Sequence, residues 1–183
     1  MSKRFSSLTV AVIVVVTAPA LVHAQSADLV LCDRVAADPA DPDRPVDVKG
    51  VPDIVTSDIT TAIKYCKIAA NGSRRAMYQL GRAYAANRQA PEAAAAWRRA
   101  ADKGSTSAMV ELGVLYGTGA GVARDEAQAR KLFERAAEAG NPRGISNLAA
   151  LGGGVGTSAD PARARDLLSK AAETMPRRNT SSA

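Results

Sequence analysis

Cys32 and Cys66, 34 residues apart, are the most reactive side chains in this sequence. That spacing is not a redox C-x-x-C, and two thiols cannot complete a four-ligand zinc site unaided. The one histidine, His23, falls in a segment the chain is expected to lose, so no Ser-His-Asp or Cys-His arrangement and no histidine-ligated metal remains. G-x-S-x-G, S-x-x-K, H-E-x-x-H and Walker sequences do not occur. Asp38, Asp41, Asp43 and Asp47 are close enough to suggest a calcium loop. EF-hand spacing fails, because Pro45 takes the third ligand position and no turn glycine follows, so these acids are read as solvated turn residues. Gly117, Gly119 and Gly121 would cradle a phosphate only after a strand, and the patterns on both sides are helical. The sequence requires no cofactor and no metal. Its remaining chemistry is that of a surface.

Helices must carry that surface. Ala108, Met109, Leu112, Leu115 and Tyr116 recur every three to four residues, a glycine-rich turn follows, and Ala129, Leu132, Phe133, Ala136 and Ala137 resume the same spacing. One such hairpin cannot bury its own stripe and needs neighbours of its kind. They are present: Leu80, Leu112 and Leu148 are 32 and 36 residues apart, and Trp97, Phe133 and Leu168 are 36 and 35 apart. Gly72, Gly104 and Gly140 repeat at 32 and 36, each closing a second helix. A period in this range on a helix pair defines a solenoid. Trp97 and Tyr116 sit at core spacing and are read as packing residues.

The central unit reads A-M-x-x-L-G-x-x-Y, then G-x-G-V-x-x-D, then A-x-x-x-F-x-x-A-A-x-x-G, through Ala108, Met109, Leu112, Gly113, Tyr116, Gly119, Gly121, Val122, Asp125, Ala129, Phe133, Ala136, Ala137 and Gly140. It resembles the SEL-one-like repeat, a relative of the tetratricopeptide repeat. The resemblance implies an all-α, right-handed α/α superhelical solenoid, here of about four helix hairpins. Three repeats are expected over 73–104, 105–140 and 141–174, the first lacking G-x-G-V and departing toward the tetratricopeptide form. Ser57 or Asp58 is expected to cap the helix that precedes them, and Pro91 to open the second helix of the first repeat.

Residues 1–24 are a signal peptide: Lys3 and Arg4, an apolar run from Leu8 to Val16, then Val22-His23-Ala24 before the cut. Its loss takes Lys and Arg from 24 to 22 against 18 acids, and the net charge from +6 to +4. The expected location is the periplasm or outside the cell, with no stable membrane insertion after cleavage. Leu31 directly before Cys32, with charged Asp28 nearby, argues against lipid attachment at that cysteine. Residues 25–72 form an N-terminal cap hairpin, and 175–183 a disordered tail. With one cysteine on each cap helix of an exported chain, Cys32–Cys66 is best read as a structural disulfide; a labile regulatory bond and free thiols are the alternatives. The stretch CDRVAADPADPDRP also resembles a cap segment that precedes such repeats in exported bacterial proteins.

By analogy with tetratricopeptide solenoids, first helices line the concave groove. That places Arg75, Tyr78, Arg82, Ser107, Val110, Val114, Arg143 and Ser146 there, an arrangement suited to an acidic peptide or loop. Charge reversal at Arg75 and Arg82 is expected to remove partner capture and leave the helices intact. The resemblance implies a non-enzymatic, monomeric scaffold that binds another protein or peptide as adaptor or regulator. No basic stripe with interleaved aromatics calls for nucleic acid. Two rivals follow from the same resemblance: a β-lactam-binding or hydrolysing enzyme, as associated with cysteine-rich relatives, and a self-associating envelope protein.

Overall fold

Helix starts in this chain are written by short polar side chains. Ser26, Ser73, Ser105 and Asp125 each accept a hydrogen bond from the backbone N–H three residues on, and open α1 (Ala27–Ala36), α3 (Arg74–Ala86), α5 (Thr106–Thr118) and α6 (Glu126–Glu138). Pro91 occupies the first turn of α4 (Ala90–Asp102), where a missing N–H costs nothing. Asn141 Oδ1 accepts from Arg143 and Gly144 at the head of α7 (Pro142–Gly152). The remaining helix, α2 (Ile59–Ala69), starts differently from the expectation: a 3-10 turn over Thr56–Asp58 leads into it, and neither Ser57 nor Asp58 caps it with a side chain.

The structure, a computed structural model, describes residues 26–152 and Ser169. The expected signal peptide, the tail, and Leu168 with the rest of the last helix but Ser169 lie outside the described residues. Within them all regular structure is helical, in seven α-helices and the 3-10 turn. Each helix packs on the next, and the first helices of successive pairs also touch, α1 with α3, α3 with α5 and α5 with α7. This is an all-α repeat solenoid.

Small residues set how closely the helices approach. Leu80, Leu112 and Leu148 are all buried, among a core in which alanine is the commonest residue. Gly81 on α3 faces Trp97 on α4, and Gly113 on α5 faces Phe133 on α6. A Cβ on Gly81 would lie 2.2 Å from Trp97 Nε1, and one on Gly113 2.6 Å from Phe133 Cε1. The missing side chain lets the indole N–H of Trp97 reach the α3 backbone, where it donates to Tyr78 O at 3.1 Å. Tyr116 is half-buried, its hydroxyl accepting from Arg98 at 2.9 Å. Gly104 and Gly140 close α4 and α6 at φ of 86° and 79°, with Ser105 N–H returning to Ala100 O and Asn141 N–H to Ala136 O. Gly72 does not share that left-handed backbone.

At the first described helix pair, α1 and α2 are joined by the Cys32–Cys66 disulfide, both cysteines fully buried. Replacing both by serine should lower stability by roughly 3 to 4 kcal/mol in the chain-entropy model. Thermal melts with thiol titration of the parent check this. Gly81→Ala should cost about 1–3 kcal/mol by overpacking. Trp97 is the sole tryptophan and is buried, so its emission should move to longer wavelength in that variant.

Candidate functional site: the first-helix face

The face made by α3, α5 and α7 is where sequence reasoning places the binding residues, and it is already occupied. After α1 the chain leaves the helix and folds into a compact loop over residues 37–51. The loop's legs meet where Val51 N–H donates to Ala37 O at 2.6 Å, and where Gly50 packs so tightly on Pro39 that a Cβ would lie 2.5 Å from it. Such a closed surface loop, stapled by its own contacts, is an Ω-loop. Arg44 holds the interior by donating to Pro45 O, Val48 O and Pro39 O.

This loop lies across the first helices, and each of its leading acids meets donors on them. Tyr78 Oη on α3 donates to Asp38 Oδ2 at 2.5 Å, and Arg143 on α7 approaches the same oxygen at 3.8 Å. Ser107 Oγ on α5 donates to Asp41 Oδ1 at 2.9 Å. Arg74 grips Asp43 with both oxygens, at 2.7 and 2.6 Å, while Arg75 donates to the Asp43 carbonyl at 3.2 Å. Arg82 donates to Ala36 O, Val51 O and Pro52 O, and so clips the end of α1 to the returning leg of the loop. Asp38 and Asp41 are 8% and 5% exposed. The expectation that these acids are solvated turn residues is therefore corrected for both, because buried carboxylates persist only where donors meet them. Asp47 is exposed.

Beneath the loop, α1 is locked to α3. Arg75 pairs both oxygens of Asp33 at 3.0 Å, and Gln79, fully buried, donates to Asp33 Oδ1 at 2.8 Å. The other end of that amide, Gln79 Oε1, lies 2.7 Å from Cys32 Sγ. A disulfide sulfur has no proton, so this is a packing contact and not a hydrogen bond.

The eight predicted face residues thus divide. Arg75, Tyr78, Arg82 and Ser107 are engaged by residues 33–52, and Val110 is fully buried. Arg75 and Arg82 consequently anchor the cap, and charge reversal there would disturb the fold. Val114 is half-buried, and Ser146 is exposed, with its hydroxyl on Pro142 O. Arg143 is exposed and reaches Glu111 Oε1 at 2.5 Å. Sequence reasoning missed Arg74, Gln79, Asp33, Asp38, Asp41 and Asp43 as part of this face. The available signal was three aspartates within six residues, upstream of a helix already credited with arginine forks suited to acids.

Electrostatics follow the burial. The Tyr78 hydroxyl is held well above its ordinary pKa by desolvation, by its bond to Asp38 and by that carboxylate's charge. Burial also pushes Asp41 up, partly offset by hydrogen bonds from Ser107 and the Asp43 backbone. No group of three or more His, Cys, Asp or Glu among the described residues is arranged to hold a metal ion.

Seven helices packed in sequence among the described residues, with a polar first-helix face, define a helical-repeat scaffold. A family model described as the Sel1 repeat matches residues 49–73, 106–141 and 142–173, about half of the chain. The chain belongs to the Sel1-repeat family, whose members are helical scaffolds that often mediate protein interaction and are generally non-enzymatic. It is similar to the crystal structure of a Sel1 repeat protein from Oxalobacter formigenes, with 28% identity and a TM-score of 0.52 over 61% of this chain and 49% of that one. It is also similar to c5321, a protective antigen present in uropathogenic Escherichia coli strains displaying an SLR fold. There the identity is 35% and the TM-score 0.56 over 68% of this chain and 28% of that one. The chain thus spans about half the length of the first and just over a quarter of the second. No curated protein matches it.

The Asp41 shift has a sign that can be measured. A carboxyl whose folded pKa lies above its unfolded value binds its proton more tightly in the folded chain. Its contribution to stability is full below about pH 3.8 and is lost as pH rises through the folded pKa. Asp41→Asn removes that dependence. Denaturant melts of both proteins at pH 7 and pH 4 should show the parent gaining on the variant as pH falls.

Proposed function

We propose that this protein is an exported scaffold, in the periplasm or outside the cell, that binds another protein or peptide through its first-helix face and acts as an adaptor or regulator. The observation that carries the reading is the chemistry of that face. Arg74, Arg75, Tyr78, Ser107 and Arg143, drawn from three helices, converge on carboxylates and main-chain carbonyls of an irregular segment. Donors so arranged suit an extended acidic chain better than a small molecule. Beyond the loop the same face continues through Val114, Arg143 and Ser146, which leaves a partner a place to land.

Location is supported by the buried Cys32–Cys66 disulfide, a bond that persists in oxidising compartments, and by the signal sequence read from residues 1–24. No described helix is long and apolar enough to cross a membrane. The resident partner is a single other protein, with no nucleic acid and no cofactor involved, and the scaffold works as a monomer.

Ser146→Glu places negative charge at an exposed position where an acidic partner would meet the face. Affinity capture from periplasmic extract, read by quantitative mass spectrometry, should show at least a tenfold loss of the protein that the parent enriches, with the melting temperature unchanged. Equal enrichment by parent and variant would move the binding site elsewhere.

A further inference from the structure

The loop over residues 37–51 is held in an unusual way for a segment that covers so much of a helical face. The apolar side chains between its acids face water, with Pro39, Ala40 and Pro42 exposed, and Val46 beyond them is 99% exposed. What fastens it are hydrogen bonds and ion pairs through Asp38, Asp41 and Asp43. Burial of apolar area, the main stabilising term elsewhere in the fold, contributes little here. The fit is also incomplete, since Asp41 Oδ2 and Arg44 Nε are buried without a hydrogen-bond partner. Finally, the loop closes on itself at Ala37 and Val51, and its flanking helices are tied by Cys32–Cys66. It can therefore lift as a unit while α1 and α2 stay folded.

We propose that the groove of α3, α5 and α7 recognises an extended, aspartate-rich, proline-interrupted segment of a partner protein, and that residues 38–43 of this chain occupy the place of that segment until the partner displaces them. The inference rests on the reading of the chain as a protein-binding scaffold and names both the partner's chemistry and the regulation of the site. Recognition in trans uses the contacts seen in cis. Arg74 takes a carboxylate with both nitrogens, Tyr78 and Ser107 donate hydroxyls to two others, and Arg75 reads a backbone carbonyl, as an extended chain requires. The carboxylates stand at positions 38, 41 and 43, so the recognised pattern is D-x-x-D-x-D. Arg143, on α7, and Arg74, on α3, are the exposed cations of the face.

The test uses the full chain with its disulfide formed, and a fluorescein-labelled peptide of this chain's own sequence from Ala37 to Val48, ADPADPDRPVDV. Substituting Asp38, Asp41 and Asp43 each by Ala empties the cis site of its carboxylates. Fluorescence anisotropy should show this variant binding the peptide at least tenfold more tightly than the parent, and a peptide with its first three aspartates changed to asparagine should not bind. A variant with parental far-UV circular dichroism that binds no more tightly would overturn the proposal. Should the variant fold poorly, hydrogen exchange on the parent decides. The turn amides of Asp41 and Arg44 should exchange at least 100-fold faster than those of Met77 to Leu80 in α3, whereas Val51, whose N–H closes the loop on Ala37 O, stays protected. Equal protection would mean the loop opens only with the whole fold. Light scattering that finds parent dimers exchanging their loops would make the occupant a second copy and also overturn it. Failure of the scaffold reading looks different: neither parent nor triple variant would then enrich any protein, whereas equal enrichment by both removes only the displacement step.

Discussion

The contact between Asp33 and Arg75 decides where the rest of the N-terminal region goes. Asp33 is 2% exposed and accepts from Nε and Nη2 of the Arg75 guanidinium together with the amide of Gln79. A buried pair of this kind adds little net stability over an apolar one, but leaving either partner alone is costly, on the order of 3–5 kcal/mol. Its effect is therefore on register. α1 must lie on α3 at the one position that satisfies both groups, and the disulfide then carries α2 into line behind it. Arg82, about two turns further along α3, meets the last carbonyl of α1 and the returning leg of the loop. With both ends so placed, residues 37–51 have no path except across the first helices.

Much of this architecture was legible in the sequence because hydrophobic spacing is a local signal. Leu80, Leu112 and Leu148 are buried at equivalent points because each sits on the inward stripe of a first helix, and the cysteines face one another because they lie on paired helices. The loop was not legible for an equally physical reason. Its hydrogen bonds to the first helices join residues 31 to 66 positions apart through polar groups, which leave no periodicity. A run such as Asp38-Pro-Ala-Asp-Pro-Asp has the same composition whether solvated or bound. Only the match between three acids and the donors of a nearby helix distinguishes the two states. That match is one of charge and reach, and hydropathy does not register it.

The first repeat shows how a family pattern and a fold can part company. The Sel1 family model does not match residues 74–105, where the connector between α3 and α4 is short and lacks G-x-G-V. The helices nevertheless pack as they do in the next repeat, since Gly81 receives Trp97 as Gly113 receives Phe133. The connector and the interface are thus under separate control. In the third repeat the aligned positions are Ala149 and Leu168, one methyl more on the first helix and no ring on the second. Small opposite large is the rule that keeps the helices close at Gly81–Trp97 and Gly113–Phe133.

A segment bound in cis sets a threshold for anything that would replace it. Tethered at both ends, the loop presents its acids to the groove at an effective concentration on the order of millimolar. A partner at about micromolar concentration must then bind the same donors roughly 1,000-fold better, a margin of about 4 kcal/mol. Three features of the loop lower that margin: Pro39, Ala40, Pro42 and Val46 face water, Asp41 Oδ2 is unpaired, and Arg44 Nε is unpaired. Each unpaired buried group forfeits about 1–3 kcal/mol that a better-fitted segment would retain. A competing chain that buries no unpaired group of its own, or that buries apolar side chains against Val114, therefore recovers a margin of the required size. The deficiencies of the resident segment are of the same magnitude as its advantage in concentration, and that balance is what makes the groove exchangeable.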